Sequence, residues 1–108
     1  MVDCIEQFHS INYLHRDIKP SNFMIKDGHV HILDFGLAFE YLTREEPRKH
    51  IAEKKDYSFK GSLHYASISN HQGYNTSRKD DMESLGYSIL HLLTNGQYKW
   101  LTFEQIGY

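Results

Sequence analysis

Apolar residues open the chain at three-residue intervals. Val2, Ile5 and Phe8 fall on one face of a helix, and this spacing predicts a short helix over residues 2–10. The period then changes. Phe23, Met24 and Ile25 form one apolar run, and Val30, Ile32 and Leu33 form another. Between them lies Asp27-Gly28, a pair that accepts the positive backbone angles of a two-residue turn. The pattern predicts a β-hairpin over residues 23–33. Residues 40–60 are polar, mixed in charge and contain Pro47, so they predict a long loop. From Ser77 the helical spacing returns, with Met82, Leu85, Ile89, Leu92 and Leu93 on a shared face and Gly96 as the expected stop. A second helix is expected over about residues 77–95.

Composition narrows the classes. A chain of 108 residues is one domain at most, and 40% apolar with 14% aromatic residues supplies a core. A net charge of −2 gives neither a nucleic-acid footprint nor a polybasic membrane patch. The one cysteine, Cys4, excludes an internal disulfide and reads as a small buried apolar residue. The start, "MVDCIEQFHS", is acidic and has no apolar run of the secretory kind. The expected location is intracellular, cytoplasmic or nuclear, with no nucleic-acid or membrane partner.

Chemistry is concentrated in "HRDIKPSNFMI", residues 15–25. Directly after the expected hairpin stands Asp34-Phe35-Gly36. A hairpin brings its two ends together, so Asn22 and Asp34 are expected to be neighbours. One carboxylate and one amide oxygen suit magnesium, a hard cation that keeps several waters. Asp17 can accept a proton from an attacking hydroxyl, and Lys19 can hold phosphoryl oxygens. These are the parts that phosphoryl transfer needs. Taken singly, each has a plainer reading: Asp17 as a solvated loop residue, Asn22 as a turn residue, Asp34 as a turn or cap residue. The pair His29 and His31 shares one strand face, but no further ligands stand at zinc-site spacing. The mixed charges from Arg44 to Lys60 read as a solvated loop, with a substrate-facing patch as the alternative.

"HRDIKPSN" followed by "DFG" resembles the protein-kinase signature, and Lys19 resembles the serine/threonine kinases. "GSLHYASISNHQGYNTSRKDDMESLGYSIL", residues 61–90, is similar to the casein kinase 1 family, with Ser67-Ile68-Ser69 where most kinases have Ala-Pro-Glu. The resemblance covers about Ile5 to Trp100. It implies an α+β fold: a partial kinase-like C-terminal lobe, mainly helical, with a β-hairpin after the catalytic loop. It implies ATP and Mg2+ as cofactors and protein substrates as partners. Asp17 matches the catalytic aspartate, and Lys19 the lysine that steadies the γ-phosphate. Asn22 and Asp34 match the two magnesium ligands. Arg16 matches an arginine that can receive a loop phosphate, for which Thr43, Tyr57, Ser58 and Ser62 are candidate sites. His15 matches a residue that packs on the Asp-Phe-Gly turn. Asp81 matches a buried aspartate that ties the central helix to the catalytic loop.

Other positions depart from that pattern. His64 stands where relatives carry an arginine that binds a primed substrate, and Lys99 where a proline precedes the tryptophan matched by Trp100. None of the seven glycines makes a G-x-G-x-x-G loop, and no Val-Ala-Ile-Lys strand occurs. The sequence therefore reads as an internal slice of a kinase domain over residues 1–108, without the N-terminal lobe or the later helices. The expected function is a casein kinase 1-type serine/threonine kinase whose slice is inactive alone. The alternative is a non-catalytic, kinase-derived interaction module.

Overall fold

The computed structural model describes residues 1–55 and 59–95. Gly96, Lys99 and Trp100, and the candidate phosphate sites Tyr57 and Ser58, lie outside the described residues. Helix α1 (Val2–Ser10) leads into strand β1 (Tyr13–Leu14) and a loop of residues 15–19, which closes with a 3-10 turn at Pro20–Asn22. Strands β2 (Phe23–Lys26) and β3 (His29–Ile32) follow, then β4 (Phe39–Glu40), the short helix α2 (Ile68–His71) and the long helix α3 (Arg78–Leu93). Strands β2 and β3 form an antiparallel hairpin with Phe23 opposite Ile32. Its turn residues Asp27 and Gly28 have φ of +52° and +77°, which the sequence pair permits.

Both amphipathic helices and the hairpin lie where the periodicity places them. Helix α3 starts with a capping box: the Ser77 hydroxyl accepts the third amide while Asp80 accepts the Ser77 amide at 2.7 Å. It ends at Leu93, and Asn95 takes the left-handed conformation at φ +53°. Asparagine tolerates that conformation at a helix end.

The expected loop at 40–60 is more ordered than its composition suggests. Strand β4 pairs with β1, setting Leu14 opposite Phe39, and Leu42 bridges to His50. Glu40 pairs with Arg44 at 3.6 Å and with Arg48, so the mixed charges partly neutralise one another. The core joins Ile5 of α1, Ile18 of the 15–19 loop and Leu85 of α3, with Met1, Phe23 and Ile32 packed against it. Ile18 is the apolar anchor inside the polar stretch; burying such a side chain contributes roughly 1.5–3 kcal/mol. Cys4 is half-buried, and its thiol donates to the Val30 carbonyl.

Candidate active site

The loop of residues 15–19 hangs from α3. Asp81 is buried, and its carboxylate accepts the amides of His15 (2.9 Å) and Arg16 (3.0 Å) and a bond from His9 Nε2 (2.8 Å). Three donors around one buried carboxylate satisfy the need that burial of charge creates. His15 is fully buried. Its Nδ1 accepts the Asp17 amide at 3.1 Å, so the proton sits on Nε2, which donates to the Leu33 carbonyl at 2.8 Å. The ring also meets Phe35 edge-on, and Phe35 stacks on Phe8 of α1. His15 thus joins the 15–19 loop to the Asp-Phe-Gly turn.

Asp17, Lys19 and Asn22 come together. The Asn22 Nδ2 donates to the Asp17 carbonyl at 2.8 Å, and the Lys19 ammonium lies 3.7 Å from the Asp17 carboxylate. Asp34 stands at the root of the hairpin. The Leu33 amide donates to the Asn22 carbonyl at 2.7 Å, so Asp34 directly follows the residue paired with Asn22. Asp34 has φ +60°, which turns the chain sharply, and its Oδ1 accepts the Gly36 amide.

One member of the site was singled out from the sequence only as a candidate phosphate acceptor. The Ser62 hydroxyl donates to Asp17 Oδ1 at 3.0 Å and accepts from Lys19 Nζ at 2.9 Å, bridging the two charges. Gly61 makes this approach possible: at φ +104°, an added Cβ would stand 2.7 Å from the Arg16 carbonyl oxygen. Two signals, a glycine and a small hydroxyl side by side, were available, but only the three-dimensional contact gives them a meaning.

Arg16 is occupied by the protein itself. Its Nε donates to the Leu37 carbonyl at 2.6 Å, and its guanidinium lies over the Phe39 ring at 4.7 Å. Burial pulls its pKa down, and the charge of Asp81 partly offsets this. Thr43 has a local role too: its hydroxyl accepts the Lys49 amide at 3.0 Å. His64 is exposed.

The donor set at Asn22 and Asp34 fits magnesium. The Asn22 amide nitrogen is spent on Asp17, which leaves its oxygen as a hard ligand, and Asp34 keeps a second carboxylate oxygen beyond the one held by Gly36. Among the described residues no group of three or more His, Cys, Asp or Glu side chains forms a metal cluster. Two protein ligands with phosphate oxygens and water completing the shell is the usual arrangement for magnesium on a nucleotide. No helix among the described residues is long and apolar enough to cross a membrane.

The model of the protein kinase domain matches residues 1–104. A probable casein kinase I homolog of Encephalitozoon cuniculi (strain GB-M1) is 41% identical over 102 residues, covering 93% of this chain and 33% of the relative. The chain thus spans about a third of that relative's length. With nearly all of its residues inside the domain model, the chain belongs to the protein kinase family, as a casein kinase I-like segment of it.

Proposed function

We propose that this chain is part of a serine/threonine protein kinase of casein kinase 1 type, which transfers the γ-phosphate of ATP to hydroxyls of protein substrates inside the cell. The observation that carries the reading is the joining of Asp17, Lys19 and Asn22 in one hydrogen-bonded cluster, with the hairpin returning Asp34 to its side. In this reading Asp17 orients the substrate hydroxyl and takes its proton. Lys19 steadies the transferred phosphoryl oxygens. Asn22 and Asp34 hold magnesium, which when bound neutralises charge on the nucleotide phosphates. Residues 1–108 supply the C-terminal-lobe side of the site. The nucleotide-positioning parts are not among them, and positioning can be worth roughly 7–11 kcal/mol of a barrier. The chain alone is therefore expected to show little or no transfer.

A second reading is a non-catalytic interaction module. It is favoured by the apolar surface left open: Ile25 is 76% exposed, Phe35 55% and Leu93 78%. One experiment separates the two. Place this chain in the matching third of a casein kinase I relative, and measure phosphate incorporation from ATP into serine, threonine and tyrosine peptides. Transfer to serine and threonine but not tyrosine is expected, and it should survive phosphatase treatment, because Arg16 is already engaged by Leu37 and Phe39. A folded protein with no magnesium-dependent transfer would favour the module.

A further inference from the structure

Helix α2 is four residues long, yet it reaches both sides of Ser62. The Asn70 side chain is buried. Its Nδ2 donates to the Lys60 carbonyl at 2.6 Å, and its Oδ1 accepts the Lys60 amide at 3.4 Å. The amide side chain thus pairs with backbone as a neighbouring strand would. The next residue, His71, is bonded through Nε2 to the Leu63 carbonyl at 2.9 Å, and its ring stacks on Phe59 at 5.1 Å. Lys60 and Leu63 bracket Gly61-Ser62, the pair that presses on the Arg16 carbonyl and bridges Asp17 to Lys19. Helix α2 is itself fixed to α3: the Ser67 hydroxyl donates to Asp80, the Ile68 amide donates to Glu83 at 2.8 Å, and Lys79 reaches Ser69 at 3.2 Å.

We propose that Asn70 and His71 are positioning residues for the Asp17–Lys19 pair: by holding Lys60 and Leu63 they place the Ser62 hydroxyl between the two charges. The role in catalysis rests on the kinase reading above; the placement of Ser62 does not. Their polar contacts are to the backbone of Lys60 and Leu63, on either side of Ser62, and the His71 ring rests on Phe59. Displacement of a bridging group by about 1 Å can cost on the order of 100-fold in rate. The contacts are directional, which makes them separable from simple bulk. Asn70→Asp keeps the size but turns the donor facing the Lys60 carbonyl into a second acceptor. His71→Leu removes the donor to Leu63, whereas His71→Gln keeps a donor at the same reach.

The test uses the full 108-residue chain and the chain placed within a casein kinase I relative. In the chain alone, the two ε-methylene protons of Lys19 should give separate NMR signals, because the ammonium is held by Ser62. They should merge in Asn70→Asp and His71→Leu and stay apart in His71→Gln. In the longer protein, Asn70→Asp and His71→Leu should lower kcat about tenfold or more, with the KM for ATP within about twofold, and His71→Gln should recover most of the loss. The proposal is overturned if Lys19 already gives one merged signal in the unsubstituted chain. It is equally overturned if the signals stay split in both disruptive variants, or if His71→Gln behaves like His71→Leu. If the unsubstituted longer protein is folded but transfers no phosphate, the kinase reading fails, and the Lys19 signals alone decide the placement of Ser62.

Discussion

Arg16 and Asp34 both hold left-handed backbone angles, at φ +69° and +60°. Such a conformation costs a non-glycine residue of order 1–3 kcal/mol, and it persists only where surroundings enforce it. Asp81 enforces it at Arg16 by taking the amide, and the Gly36 amide closes on the Asp34 carboxylate. Strain therefore sits at both ends of the cluster that holds Asp17 and Asn22. Gly61 shows the same tightness from the other side. Gly61→Ala should destabilise the chain by roughly 1–3 kcal/mol, since the new Cβ would meet a backbone oxygen rather than a yielding side chain. Gly86→Ala is the matched control: it lies inside α3 with open space around it, and it should stabilise by about 0.5–1 kcal/mol. Denaturant midpoints of the two variants check both signs. The gathering of Asp17, Lys19 and Asn22 was legible because they lie close together in one short stretch. Gly61, Ser62 and Asn70 were not. Ser62 meets Asp17 across 45 residues of sequence, and no local pattern encodes such a contact.

Helix α3 acts as a frame through three acidic side chains in its first two turns. Asp80 holds Ser67, Asp81 holds the catalytic-loop amides, and Glu83 holds the start of α2. Asp81→Asn leaves the size unchanged but places an NH2 group against donors, so at least one buried amide loses its acceptor. A cost of roughly 1–3 kcal/mol is expected, with faster hydrogen exchange at the amides of His15 and Arg16. Unchanged exchange at those two amides would mean that the loop is held by something else. Glu83 also accepts the Tyr87 hydroxyl at 2.9 Å. Burial first, and then Glu83, pushes the Tyr87 pKa up to about 12. The unfolded chain loses this proton near pH 10, so the unfolded state gains as pH rises from there toward 12. The contribution is fully present below about pH 10 and is lost through that window. Stability measured at pH 9 and pH 11 should fall less in Tyr87→Phe than in the parent. The long helices and the hairpin were readable because periodicity and turn chemistry are local. The pairing of β1 with β4 was not, because two-residue strands 26 positions apart carry no period: Leu14 faces Phe39 only in the folded chain. Helix α2 was equally hidden, being too short for a hydrophobic face to repeat.

The whole molecule presents a site on one side and open apolar surface around it. Only the root of the hairpin, Phe23 and Ile32, packs on the core, while Met24, Ile25 and Val30 remain exposed. Phe35 is supported from below by Phe8 and His15 and is open above. Large exposed apolar surfaces of this kind call for covering structure. The family could be read from the sequence because its motifs are dense in these residues; substrate choice could not, since no local residue pattern states it. In the proposed reaction Asp17 and Asp34 divide the labour between substrate and nucleotide, and one pair of variants separates the two roles. In the chain placed within a casein kinase I relative, measure ATP affinity with magnesium by calorimetry and turnover by phosphate incorporation for Asp17→Ala and Asp34→Ala. Both should abolish turnover; Asp34→Ala should also weaken magnesium-dependent ATP binding, and Asp17→Ala should leave it nearly intact. Equal loss of ATP affinity in the two variants, or near-normal turnover in either, would contradict these roles for Asp17 and Asp34.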